Sequence, residues 1–296
     1  MQILGFPESL ASARRLADAL GGDCGAIDLH RFPDGESLVT LPPRLADTVI
    51  LFRGLEDANA RLVELLLACD GARANGAGRI ILVAPYLCYM RQDKAFHPGQ
   101  AVSQRIIGEH LSRWVDDLVT VDPHLHRIAR LAEALPHCNA VATSAAPLLG
   151  EFLRSQGDDA VLVGPDEESR QWVEQVADAS GLPFVIATKE RLGDREVRIV
   201  LPPHPYRGRD AILVDDVISS GRTMAETARQ LRAAGACDVS ALCTHALFAP
   251  GALDALAAAG IGEVWTSNAI PHPSNRIDLT PVLAAAVRGL LLPGAR

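Results

Sequence analysis

Short apolar runs alternate with stretches of helical period along the whole chain. The runs predict strands at Met1–Gly5, Thr48–Phe52, Arg79–Val83, Asp117–Val121, Ala160–Gly164, Phe184–Ala187, Arg198–Val200, Ala211–Val214, Asp238–Thr244 and Glu263–Thr266. Between them the spacing predicts helices that include Ser9–Leu20, Asn59–Asn75, Val102–Trp114, Ser169–Ser180, Arg222–Ala234 and Pro250–Ala259. In Arg222–Ala234, Met224, Thr227, Ala228 and Leu231 share one face, and Gly235 stands where a helix stops.

Such alternation makes βαβ units and a mainly parallel sheet flanked by helices, an α/β fold. The rhythm runs through twice. A first half to about Ala140 holds four predicted strands, and a second half from about Ala145 repeats the plan without an exact sequence repeat. The pattern therefore predicts two similar Rossmann-like domains, 1–143 and 144–280, with Ala140–Pro147 as linker. A last helical stretch, Pro281–Leu292 within 281–296, is expected to pack back on the first domain.

Composition narrows the class. With 296 residues, 48% hydrophobic and 22% charged, the chain is long and apolar enough for two cores. Its longest strongly apolar run, Ile80–Met90, is too short to span a bilayer. MQILGFPESL has no basic region ahead of an apolar stretch, so a cytoplasmic protein without a membrane partner is expected. A net charge of −8 argues against general nucleic-acid binding, though a local cationic pocket for a polyphosphate is compatible with it. Cys24, Cys69, Cys88, Cys138, Cys237 and Cys243 form no C-x-x-C pair and read as reduced, buried thiols.

The chemistry concentrates after Ala211–Val214. This apolar strand meets Asp215 and Asp216, then Val217, Ile218 and the small polar loop Ser219-Ser220-Gly221, and Arg222-Thr223 opens a helix. Ligands of open parallel sheets bind beyond the carboxyl ends of strands. A helix N-terminus offers unpaired N–H groups and a positive dipole end to a phosphate. Small residues allow close backbone approach, and hydroxyls add donors. Two carboxylates repel a phosphate they touch, but a few ångströms away they accept hydrogen bonds from sugar hydroxyls. A helix-capping serine alone explains the serines and leaves the Asp pair without a reason. No G-x-x-x-x-G-K-[ST] and no G-x-G-x-x-G after a strand is present.

This loop resembles the phosphoribosyl diphosphate motif of the phosphoribosyltransferase fold, which implies a ribose 5-phosphate site at Asp215, Asp216, Ser219, Ser220, Gly221, Arg222 and Thr223. The first half separates transferase from synthetase. Arg31-Phe32-Pro33-Asp34-Gly35-Glu36 resembles the R-F-x-D-G-E of ribose-phosphate diphosphokinases. Pro85–Lys94 is similar to their P-Y-x-x-Y-x-R-Q-D-K, Gly99–Ser103 to G-E-x-[IV]-S, Val121–His124 to D-x-H and Asn268–Pro271 to T-N-[ST]-I-x. The matches keep their order over nearly the whole chain.

The resemblance implies transfer of the diphosphoryl group of ATP to ribose 5-phosphate, on a homo-oligomer of two or more copies. ATP would meet Phe32, Asp34, Gly35, Glu36, Arg91 and Gln92. Physically, Phe32 can stack on adenine, Asp34 and Glu36 can accept from its amine or the ribose, and Arg91 can fork onto phosphate oxygens. Pro33-Asp34-Gly35 also reads as a plain β-turn that presents these side chains. Arg91–Ser103 reads as a mobile loop, a lid in the functional version. By position, His124 and Asp166 would be ligands of Mg2+. Asp122–His126 suggests zinc, but no third ligand of matching spacing appears. Lys189-Glu190-Arg191 is either a solvated charged turn or, by resemblance, a catalytic Lys189 with Arg191 contacting the substrates.

Three departures stand out from the family pattern. Arg222 replaces a loop glycine, Glu168 and Ser169 replace two glycines after Asp166, and Gln100 stands where Glu is usual. A family member acting on a related sugar phosphate or nucleotide, a non-catalytic regulatory subunit on the same fold and a phosphoribosyltransferase are the competing readings.

Overall fold

The computed structural model describes residues 1–157, 159–191 and 197–292, without the side chains of residues 190, 191, 197 and 198. The chain forms two compact units, Met1–Ser144 with Leu279–Arg296, and Ala145–Asp278.

The first unit runs β1 (Gln2–Gly5), α1 (Leu10–Leu20), β2 (Asp23–Ala26), β3 (Asp28–Arg31), β4 (Ser37–Thr40), β5 (Thr48–Phe52), α2 (Ala58–Ala74), β6 (Arg79–Ala84), α3 (Ser103–Leu111), β7 (Asp117–Val121) and β8 (Asn139–Thr143). The second runs α4 (Ala146–Arg154), β9 (Ala160–Gly164), α5 (Arg170–Ser180), β10 (Phe184–Ile186), β11 (Thr188–Arg191), β12 (Val197–Val200), β13 (Asp210–Val217), α6 (Arg222–Ala233), β14 (Val239–His245), α7 (Ala252–Ala258), β15 (Ile261–Ser267) and β16 (Asn275–Ile277). A final helix, α8 (Thr280–Leu291), belongs to the first unit, where it packs on α1, β7 and β8.

Each unit is centred on a six-stranded sheet, ordered β2-β1-β5-β6-β7-β8 and β10-β9-β13-β14-β15-β16. Every pairing in both is parallel. Parallel strands covered on both faces are near-continuous apolar runs, and β5, β6, β9 and β13 are of this kind. Val49, Ile50, Leu51, Leu82, Val161, Leu162, Val163 and Leu213 have no exposed surface. Truncating one such leucine to Ala costs about 2–5 kcal/mol. Two antiparallel hairpins, β3–β4 and β11–β12, form small sheets of their own beside the large ones.

Four expectations need correction. The stretch Ala140–Pro147 is not a linker: 139–143 is the edge strand β8 paired with β7, and α4 starts at Ala146 with Pro147 in its first turn. There proline loses nothing, because first-turn N–H groups have no intrahelical acceptor. The first unit holds six sheet strands and a hairpin rather than four strands, since β2, β3, β4 and β8 are short and half-exposed. Lys189–Arg191 is strand, not turn. The thiols are not all buried: Cys69, Cys88 and Cys243 are, Cys24 and Cys138 are half-buried, and Cys237 is exposed. Among the described residues no helix is long and apolar enough to cross a membrane.

Helix α2 inverts the usual rule. Glu64 has no exposed surface, whereas Val63 is 55% and Leu67 42% exposed. A buried carboxylate needs a partner, and Arg53, itself 1% exposed, supplies it through Nη2 at 2.5 Å.

Candidate active site

In the second unit, the strand β13 continues past the apolar run and carries Asp215 and Asp216 inside it. Alternation along a strand turns neighbours to opposite faces. Asp216 is buried and Asp215 half-buried, and the Asp216 amide donates to Asp215 Oδ1 at 2.9 Å. Burial, then the negative charges of Asp216 and Asp166, push the Asp215 carboxyl well above the usual range. Such a group favours a cation or hydroxyl donors beside it.

Beyond β13 the chain turns sharply. Ile218 N–H donates to His245 O at 3.2 Å, and Ser219 O accepts from Ala249 N at 3.1 Å. Gly221 caps α6 in the left-handed region, φ 69°, and a Cβ there would lie 3.1 Å from Leu256 Cδ2. The N-cap is Gly221, and among the described residues neither the Ser219 nor the Ser220 hydroxyl bonds to the first turn. The amides of its first turn face outward without intrahelical acceptors, at the positive end of the helix. Ser220 and Arg222 are exposed, Ser219 and Thr223 half-buried. Among the described residues Arg222 makes no ion pair, so an uncommitted guanidinium stands at this helix end.

Asp166 follows β9, which lies beside β13 in the sheet. Its Oδ1 accepts the Glu168 amide at 3.0 Å, and its Oδ2 accepts from Lys189 Nζ of β11. Ser169, fully buried, donates its hydroxyl to Asp166 O at 2.6 Å and so fastens this turn. Glu167 is held by Arg170 at 2.5 Å. The side chain of Arg191 lies outside the described residues. Asp166 and Lys189 thus pair at the carboxyl edge of the sheet, near enough to Asp215 for the Asp166 charge to act on its carboxyl.

In the first unit, the hairpin β3–β4 carries Phe32, Asp34, Gly35 and Glu36 on its turn. Phe32 N–H donates to Glu36 O at 2.8 Å and Gly35 N–H to Phe32 O at 2.9 Å, with Gly35 at φ 93°. Asp34 Oδ1 accepts the Glu36 amide at 3.1 Å. Phe32 is 42% exposed, its ring meeting His30 edge-on at 4.7 Å. A cleft of ≈ 670 Å³ opens between this turn and α2, lined by Arg31, Asp34, Gly35 and Glu36 on one side and Val63 and Leu67 on the other. Exposed aromatic and apolar surface beside carboxylates suits a flat base with an amine.

The loop after β6 is stitched to itself. Gln92 donates to Ala101 O at 3.0 Å and accepts from Ser103 Oγ, while Gln100 Oε1 accepts from the amides of Phe96 and His97 at 2.9 and 3.0 Å. Arg91 is exposed. At the end of β7, Asp122 and His124 both have positive φ, 39° and 50°. Non-glycine residues populate that region sparsely, at a cost of about 1–3 kcal/mol each that the surrounding structure must offset. His124 and His126 meet Nε2 to Nε2 at 2.8 Å. Among the described residues no three His, Cys, Asp or Glu side chains are grouped to hold a metal.

One group had escaped the motif reading. Under the hairpin, Arg53 and Glu64 form a buried ion pair that extends outward to the exposed Glu8. Its only trace in the sequence is a single carboxylate within Leu62–Leu67, where helical packing expects apolar side chains.

Two parallel α/β units, one ending a strand in a carboxylate pair and an uncapped phosphate-type loop, define a phosphoribosyltransferase-type enzyme with an additional N-terminal unit. Residues 1–114 match the N-terminal domain of ribose phosphate pyrophosphokinase, and residues 132–252 match the phosphoribosyl transferase domain. A ribose-phosphate pyrophosphokinase of Methanopyrus kandleri is 37% identical over 98% of this chain and 99% of its own. Ribose-phosphate pyrophosphokinase 2 of Archaeoglobus fulgidus is 34% identical over 96% and 99%. The crystal structure of phosphoribosylpyrophosphate synthetase from Mycobacterium smegmatis aligns over 98% of both chains with a TM-score of 0.81 at 26% identity. The chain belongs to the ribose-phosphate pyrophosphokinase family.

Proposed function

We propose that the chain makes 5-phosphoribosyl 1-diphosphate and AMP from ATP and ribose 5-phosphate. The C1 hydroxyl of the sugar attacks the β-phosphorus of ATP. The bond from that phosphorus to the oxygen bridging the α-phosphorus breaks, AMP leaves with the oxygen, and the hydroxyl proton passes to solvent. The observation that carries this reading is the turn at Ser219–Thr223, uncapped and beside Asp215 and Asp216, in a chain related end to end to this family.

Ribose 5-phosphate takes the second unit. Its phosphate lies on Ser219, Ser220, Gly221, Arg222 and Thr223, and its hydroxyls on Asp215 and Asp216. ATP takes the first unit, with Phe32 on the base, Asp34, Gly35 and Glu36 around its polar edge, and Arg91 on phosphate oxygens. Gln92 shapes the loop that carries Arg91. Lys189 and Arg191 offset charge that develops on the transferred oxygens; phosphoryl-type transfer is mostly positioning and charge stabilisation.

Mg2+ is the cofactor that fits best. Asp166, beside a carboxylate of raised pKa, offers oxygen to a hard cation, and His124 offers nitrogen, which Mg2+ takes less readily. Few protein ligands are in keeping with a Mg2+ that keeps waters and binds substrate phosphates. When bound, it would neutralise charge on the phosphate oxygens. We place the enzyme in the cytoplasm as a homo-oligomer of two or more copies, by resemblance.

The test is direct. Purified protein is incubated with ATP, Mg2+ and ribose 5-phosphate, and AMP and phosphoribosyl diphosphate are measured. Product forming in equal amounts supports the reading. Consumption of phosphoribosyl diphosphate with a free base, and none of ATP, would make it a transferase instead.

A further inference from the structure

The turn 32–36 hangs on a hairpin that shares no ladder with the six-stranded sheet. Two four-residue strands are marginal by themselves, so their aim has to come from side chains. The register pairs Leu29 with Val39 and Arg31 with Ser37. With a period of two, these four residues point to one face. At the base of the hairpin, Leu29 and Val39 pack on the apolar core. At the turn end, both anchors are polar and both reach one atom: Arg31 Nε donates to Glu64 Oε1 at 2.9 Å, and Ser37 Oγ donates to the same oxygen at 3.0 Å.

That oxygen is itself immobilised. Glu64 Oε2 accepts from Arg53 Nη2. Arg53 Nε donates to Glu8 at 2.7 Å, its Nη1 donates to Arg61 O at 3.2 Å, and its guanidinium carbon lies 4.0 Å from the Phe6 ring centroid. Burial pushes the Glu64 carboxyl up, but hydrogen bonds from Arg53, Arg31 and Ser37 more than offset this and hold it below the usual range. A charged acceptor makes strong, directional hydrogen bonds to both flanks of the turn.

We infer that Glu64 is a positioning residue for nucleotide recognition: through Arg31 and Ser37 it fixes the turn that presents Phe32, Asp34 and Glu36. This rests on the proposed reading of that turn as the ATP-recognition element. Glu64 touches no substrate. Its effect falls on the nucleotide alone, because ribose 5-phosphate is assigned to other residues.

The experiment measures KM for ATP, KM for ribose 5-phosphate, kcat and melting temperature in Ser37→Ala, Glu64→Gln and Phe32→Ala. Ser37→Ala removes one donor and leaves the buried Arg53–Glu64 pair intact, so it keeps the fold and tests the inference independently of the heavier Glu64→Gln change. The expected result is a KM for ATP raised about threefold in S37A and about tenfold in E64Q, with KM for ribose 5-phosphate within about twofold, and a near-native melting temperature in S37A. If F32A raises KM for ATP but S37A leaves it unchanged, the positioning role is overturned and the reading of the turn stands. If F32A itself leaves KM for ATP unchanged, the reading of the turn fails and takes the inference with it. Equal rises in both KM values would reduce Glu64 to a purely structural residue.

Discussion

Lys189 donates to Oδ2 of Asp166, which ties a lysine on the β11–β12 hairpin to a carboxylate at the end of β9. The lysine is 39% exposed, so the pair stabilises the fold by only about 0–1 kcal/mol. Its weight is chemical. Asp166 is a proposed metal ligand and Lys189 a proposed catalytic group, and each holds the other in place. Lys189→Ala should lower turnover by about 10²-fold or more while shifting ribose 5-phosphate binding by less than about 1 kcal/mol. Single-turnover rates and titration calorimetry measure the two quantities. Unchanged turnover removes Lys189 from the mechanism.

Asp215 pits stability against binding. Its folded-state pKa is raised, first by burial and then by Asp216 and Asp166. The native state therefore holds this proton to higher pH than the unfolded chain does. Stability contributed by the group is present below the unfolded value, about 3.9, and falls as pH rises through the folded value. Asp215→Asn should raise the melting temperature of the ligand-free protein, more so at neutral than at acidic pH, and weaken ribose 5-phosphate binding. Melting curves across pH decide this; a lower melting temperature at neutral pH contradicts the assignment.

Gly221 is needed for its conformation and for the space beside it. Alanine at φ 69° costs about 1–2 kcal/mol, and its Cβ would press on Leu256. Gly221→Ala should destabilise the second unit by about that amount and shift the Ser219–Thr223 amides. Denaturant titration reads the first effect and phosphate binding the second. A neutral substitution would mean the turn relaxes easily and is not a preformed cradle.

Arg222 carries a charge with no protein partner among the described residues. Next to a bound phosphate it adds a cation, so Arg222→Gly should weaken ribose 5-phosphate binding by about 1–2 kcal/mol and flatten its salt dependence. Tighter binding in the glycine variant would show that the side chain crowds the phosphate instead.

What could be read from the sequence follows burial. Thr48–Phe52, Asp117–Val121 and Ala160–Gly164 begin and end where the apolar runs place them, because central parallel strands are covered on both faces. Asp23–Ala26, Asn139–Thr143 and Asn275–Ile277 escaped: they are short edge strands with half-exposed residues, and tertiary pairing rather than local pattern makes them strands. Pro147 was misleading because punctuation inside a loop and the first turn of a helix use the same residue. The Asp215–Thr223 turn was legible since its chemistry is continuous along the chain. Glu64 was not, since its meaning depends on Arg53 and Arg31, brought to it only by the fold.

The return of α8 to the first unit has a consequence for synthesis. Residues 145–278 are contiguous and leave the ribosome as a finished block. The first unit, although made first, still lacks the helix whose Arg288 donates to Ala19 O and whose Leu290 O accepts from Arg79 at 3.0 Å. Until that helix emerges, the apolar surface awaiting Leu283, Ala284 and Val287 stays open to solvent and to chaperones. The second unit can thus be completed before the first, because α8, which closes the first unit, follows the whole of 145–278 along the chain.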